Sequence, residues 1–110
     1  MYDKTVANTI TQTLPVNTVR PLLGSVPNRK SFILSPIAVG AGGIISISMR
    51  PDVVAGAGIL NFLTGQTFPT AVDDGLIGSM VAEEWFVISL NGGEKIQVTE
   101  YLYVECPTYE

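Results

Sequence analysis

Short apolar stretches in this 110-residue chain are cut by Gly, Pro or Asn about every ten residues. That spacing is too tight for packed helices and suits β-strands joined by turns. The clearest stretch is Lys95-Ile-Gln-Val-Thr-Glu-Tyr-Leu-Tyr-Val-Glu-Cys106, which alternates almost perfectly behind the turn Asn91-Gly92-Gly93. Period-two alternation after such a turn marks a half-buried antiparallel strand. The punctuation predicts eight strands, at about 17–24, 30–35, 43–49, 52–55, 58–63, 75–81, 84–90 and 95–105. Pro21 confines the first to a sheet edge or opening. Trp85-Phe-Val-Ile-Ser-Leu90 is apolar on both faces and suits a central strand. No helix of useful length is expected. The reading is all-β, a jelly roll or β-sandwich of about eight short antiparallel strands with an extended N-terminal arm.

Residues 1–16 form that arm. Thr5, Thr9, Thr11 and Thr13 alternate with Val6, Ile10 and Leu14 and end at Pro15, a composition with poor helix propensity. An extended arm or edge strand follows, of the kind that either lies disordered or docks on a neighbouring subunit. Residues 17–110 make one domain, large enough to bury a real core.

Charged residues are 15% of the chain, against about 25% in ordinary globular domains. Mean hydropathy is +0.36, so part of the apolar excess is expected to face another subunit. The net charge of −4 speaks against nucleic acid, which requires clustered Lys and Arg. Residues 1–55 carry +3 and residues 56–110 carry −7, an asymmetry that interleaved strands would blur. Phe32–Met49 is as long as a membrane span, but Pro36, Gly40, Gly42, Gly43 and three serines make it two strands and a turn. No membrane association is expected. The start Met-Tyr-Asp-Lys-Thr-Val lacks the features of a signal peptide, and the lone Cys106 suits synthesis in a reducing cytoplasm.

Catalytic equipment is sparse. Gly40-Ala-Gly42-Gly43 lacks the third glycine and the following helix of a dinucleotide loop, and Gly56-Ala-Gly58 fails likewise. Asp73-Asp74 and Glu83-Glu84 are adjacent pairs whose side chains diverge on a strand, and Asp73-Asp74-Gly75 reads as a turn, with calcium held through added carbonyl ligands as the alternative. With no histidine in the sequence, the Ser-His-Asp triad and the common zinc sites are excluded. Cys106 has no histidine to activate it. The expectation is no enzyme, no metal and no cofactor.

One polar residue stands out. In the last strand Glu100 falls on the face of Ile96, Val98, Leu102, Val104 and Cys106, and a buried carboxylate must be paired or neutralised. Arg29, entering an apolar strand after Pro27-Asn28, is the best available partner. The other possibility is a bulge near Glu100 that turns it outward.

The order of these signals resembles small virion proteins of tailed bacteriophages. It runs Asn28-Arg29 into an apolar strand, a small-residue turn, Ile45-Ser-Ile47, Gly56-Ala-Gly58, Leu63-Thr-Gly65, Leu76-Ile-Gly78, a hydrophobic strand, and Ile96-Gln-Val98-Thr-Glu100. Over residues 17–105 the chain is similar to the capsid decoration proteins, cement or staple, of epsilon15-type podoviruses, with the cement proteins of Bordetella phages behind them. The resemblance implies a short jelly roll on the virion head surface, with the major capsid protein as partner. It implies a mechanical role, stabilising joints between capsid subunits. The low charge suggests a homo-oligomer, a dimer first. Candidate interface residues are Tyr2, Val6, Ile10 and Leu14 at the arm and Tyr101, Tyr103 and Tyr109 near the end, because aromatic side chains carry interface energy. Trp85 is expected in the core. The alternative is a glycan- or receptor-binding sandwich of a tail fibre, with Tyr101 and Tyr103 on one outward face.

Overall fold

The computed structural model describes residues 4–37, 42–63 and 69–104. Its strands are β1 (Lys4–Thr13), β2 (Arg20–Leu23), β3 (Arg29–Ile37), β4 (Ile44–Ser48), β5 (Leu60–Leu63), β6 (Thr70–Asp73), β7 (Trp85–Ser89) and β8 (Lys95–Val104). They form two four-stranded antiparallel sheets, ordered β1-β8-β3-β6 and β2-β7-β4-β5. The strands match first with last: β1 with β8, β2 with β7, β3 with β6, β4 with β5. That is the winding of a jelly roll, one long hairpin folded over itself into two layers. The chain is an all-β sandwich.

Alternation builds the core. Phe32 and Leu34 of β3, Ile96 and Val98 of β8, Ile45 and Ile47 of β4, and Trp85 and Val87 of β7 turn inward and are buried between the sheets. Each such side chain contributes about 1.5–3 kcal/mol by leaving water. The Phe32 and Trp85 rings meet edge to face at 5.2 Å, a favoured aromatic geometry. The Trp85 indole N–H donates to the Met80 carbonyl at 3.2 Å, so its polar end is satisfied.

Several strand boundaries differ from the expectation. Residues 75–81 are not a strand: α1 (Asp74–Ile77) runs into a 3-10 turn at Gly78–Ala82. Ile77 packs on the core and Val81 enters it; that four-residue spacing is a helical stripe, not an alternation. Residues 52–55 are not a strand. They belong to the β4–β5 connection, which covers the outer face of the second sheet and buries Val53 and Ile88 outside the main core. Ser46 and Ser48 on that face hold the loop: Gly56 N–H donates to Ser46 Oγ at 2.8 Å and Arg50 N–H to Ser48 Oγ at 3.2 Å. Gly58 lets the loop touch the sheet, since a Cβ there would lie 2.7 Å from the Ile47 nitrogen. Thr70–Asp73, not expected as a strand, pairs with β3. The first expected strand shortens to Arg20–Leu23, an edge strand with a register shift after Pro21.

Within the segment read as an arm, β1 pairs residue for residue with β8 from Lys4↔Val104 to Thr13↔Lys95. The residue after it, Leu14, is only 1% exposed and lies in the core. The molecule is elongated, 57 × 24 × 21 Å, with a radius of gyration of 15.0 Å; a globule of this length would have about 13 Å.

Candidate functional site

Arg29 and Glu100 meet inside the sandwich. A β-bulge in β3 makes this possible: Arg29 lies opposite Leu102 and Ser31 opposite Tyr101, leaving Lys30 as the extra residue. Without it, Arg29 and Phe32 would point to opposite faces, being three residues apart. With it both turn inward, and Phe32 sits opposite Glu100. The guanidinium contacts Glu100 Oε2 through Nε at 3.3 Å and Nη2 at 3.2 Å. It also donates to the carbonyls of Gly24 at 2.6 Å, Val81 at 3.1 Å and Glu83 at 3.0 Å. Burial lowers the Arg29 pKa from its ordinary value, and the charge of Glu100 and its hydrogen bond oppose that shift. Every strong donor of the cation is directed at an acceptor within the fold. The arrangement is structural: it ties the β2–β3 connection and the 3-10 turn to β8.

The outer face of the β1-β8-β3-β6 sheet is different. Thr9, Thr11, Gln97, Thr99, Ser31, Ile33 and Ser35 lie on it, with Tyr101. Thr9 and Thr99 share a hydroxyl hydrogen bond at 3.0 Å across β1 and β8. Its middle carries no charged side chain; Lys95 marks one end and Asp73 the other. Such a face presents an array of hydroxyl and amide groups. Tyr101 and Tyr103 both lie here, half-buried. The Tyr103 hydroxyl donates to Asp74 Oδ2 at 2.9 Å, and Lys30 Nζ stands 5.8 Å from its ring centre.

At the rim of this sheet Val6 and Ile10 are 50% and 48% exposed. They point to the inward side, opposite Leu102 and Val98, beyond the reach of the four-residue β2. Leu14, expected with them at the interface, is in the core and cannot serve a partner. Tyr2 and Tyr109 lie outside the described residues, as does Cys106. Trp85 is in the core.

One feature escaped the sequence reading. Glu94 is 4% exposed and accepts a hydrogen bond from Ser89 Oγ, which itself accepts from Gly92 N–H. Glu94 Oε2 and Gln12 Oε1 are buried acceptors without a donor among the described residues. A carboxylate directly after a Gly-Gly turn carries no sequence signal of burial. Gly92, at φ +75°, packs where a Cβ would lie 2.7 Å from the Val16 nitrogen, and the turn is thereby pressed against the chain leaving β1.

Among the described residues no cluster of three or more His, Cys, Asp or Glu gathers as a metal site. Glu83 and Glu84 are both exposed. A shallow depression is lined by Ser48, Arg50, Asp52, Val53, Val54 and Ala57. There the Arg50 guanidinium is paired with Asp52 at 3.1 and 3.2 Å. No described helix is long and apolar enough to cross a membrane.

No family model matches the sequence, and no curated protein matches it. Among solved structures, the chain resembles a protein of Bacillus endospore appendages, described as a novel family of disulfide-linked pili. The match has a TM-score of 0.57 at 11% identity and covers 96% of this chain and 93% of that one. At that identity the likeness is one of fold.

Proposed function

We propose that this chain is a structural, non-enzymatic virion protein that binds the outside of an icosahedral phage head. There it stabilises the joints between major capsid protein subunits. The observation that carries this reading is the hydroxyl- and amide-rich outer face of the β1-β8-β3-β6 sheet, uncharged across its middle and lying beside an open apolar rim at Val6 and Ile10. A flat face of threonine, serine and glutamine forms hydrogen bonds without burying unpaired charge, so it fits a surface repeated many times on a shell. The core beneath is braced by Arg29 and Glu100, as suits a part that bears load rather than moves.

A second reading, a subunit of a filamentous appendage, is favoured by the shared fold. Subunits disulfide-linked into a continuous filament need thiols toward both neighbours, whereas these 110 residues hold one cysteine. The head-decoration reading therefore asks less of this sequence. Purified particles of the source decide between them. Copy number in fixed proportion to the major capsid protein, with rebinding of the pure protein to stripped heads, is expected. Recovery in filaments, or particles lacking the protein that keep their heat stability but lose host adsorption, would overturn it.

A further inference from the structure

The jelly roll has four edge strands, and three of them are blunted. β2, β5 and β6 are four residues long, and β2 also carries Pro21 and a register shift. Short, irregular edges are poor templates for pairing. β1 is the exception at ten residues, in unbroken register with β8. From Thr5 to Thr13 it contains no charge, no proline and no glycine. Among the described residues no strand pairs with its other side. An uncharged, regular edge of this length is open to another strand.

The sequence of β1 says which strand. Thr5-Val-Ala-Asn-Thr-Ile-Thr11 carries nearly the same chemistry read from either end. Antiparallel pairing with a second β1, centred on Asn8, sets Val6 against the other copy's Ile10, Ala7 against its Thr9, and Asn8 against its Asn8. Both Val6 and Ile10 lie on the inward side of the sheet and are about half exposed, so their symmetric pairing would cover apolar surface now in water. Sliding the partner by two residues in either direction puts Val6 or Ile10 opposite Asn8. Sliding by one turns an apolar side chain to the wrong face.

We propose that two copies of this chain join through their β1 edges, antiparallel and centred on Asn8, to form a two-fold dimer with a continuous eight-stranded sheet. A two-fold contact of this kind is closed, because it uses up the one long free edge of each copy. It holds for the isolated protein and does not depend on the head-decoration reading. It also joins the two outer faces into one surface about twice as wide.

Cysteine cross-linking reads the register directly, in a Cys106→Ser background so that each added thiol is alone. Directly opposite residues sit within disulfide range, whereas residues offset by four positions are about 14 Å apart along the ladder. Asn8→Cys should therefore give a covalent dimer on mild oxidation. Val6→Cys and Ile10→Cys should each stay uncrosslinked alone yet cross-link when mixed. In sedimentation the unaltered protein should be a dimer, and Ile10→Lys should weaken it at least about tenfold with an unchanged β-sheet spectrum. Both positions are half exposed in the single chain, so these variants fold. A monomer at all concentrations, open polymers instead of dimers, or a dimer in which Asn8→Cys does not cross-link would each overturn the proposal.

Discussion

A single buried cation holds three separate parts of the chain together. Arg29 binds Glu100 on β8 and the carbonyls of Gly24, Val81 and Glu83 from two connections. Glu100→Ala leaves that cation without its counter-charge in the interior and should cost about 3–5 kcal/mol in chemical denaturation. Arg29→Ala should cost as much, because it orphans a carboxylate and three carbonyls at once. The double variant should recover only part of the loss, since the carbonyls still lack their donor. Losses under about 0.5 kcal/mol for the single changes, as at ordinary surface sites, would mean that the pair is not buried in solution. The inward direction of Glu100 could be read from the alternation of residues 96–102. The geometry of Arg29 could not, because it rests on a bulge at Lys30 that no residue type announces. Glu94 was silent in the sequence for a similar reason: a carboxylate after Asn91-Gly92-Gly93 looks solvent-facing until Ser89 claims it. Glu94→Gln keeps an acceptor for Ser89 and turns an orphaned acceptor atom into a donor. It should raise the melting midpoint, by an amount equivalent to about 1 kcal/mol or more. A lower midpoint would show that the carboxylate has a partner which the amide cannot replace.

Elements with strict alternation were legible, and elements shaped by their neighbours were not. β8 and β4 repeat apolar and polar residues at a period of two, and the sheet that buries one face fixes them; β7 was legible as a run apolar on both faces. β6 is only four residues, Thr70-Ala-Val-Asp73, with a single inward apolar side chain, Val72. It becomes a strand because β3 offers it an edge. The 52–55 segment has β-branched residues but no edge to join; its Val53 is buried on the outside of the second sheet. The close approach of that loop depends on Gly58. An added methyl would lie 2.7 Å from the Ile47 nitrogen, 2.8 Å from its oxygen and 2.9 Å from the Leu60 oxygen, all backbone. Backbone in a paired sheet cannot give way cheaply, so Gly58→Ala should destabilise by about 1–3 kcal/mol, the range of overpacking. Faster exchange of the Gly56 and Ile59 amides, which bond Ser46 Oγ and the Ile47 carbonyl, would show the loop lifting off. Unchanged exchange and stability would mean that the loop does not press on the sheet.

At the scale of the whole molecule, shape and surface point the same way. The long axis of 57 Å and the low charge are compatible with the proposed role of a brace laid across a joint. A decoration protein need not direct assembly; it need only bind the mature shell better than any other state. Linkage then sets the size of the effect: a ligand at 100 times its dissociation constant stabilises by about 2.7 kcal/mol per site. A shell offers many equivalent sites, so even weaker binding would raise the temperature at which it fails. Under the proposed head-decoration role, particles made without this protein should form heads of normal shape, yet release DNA at lower temperature or milder osmotic shock. Adding back the purified chain should restore resistance. An Ile10→Lys chain, unable to pair through β1, should restore less at equal concentration, because a paired molecule held at two points dissociates more slowly than one held at a single point. Heads with unaltered heat resistance but lost host adsorption would instead assign the threonine-rich face to receptor binding.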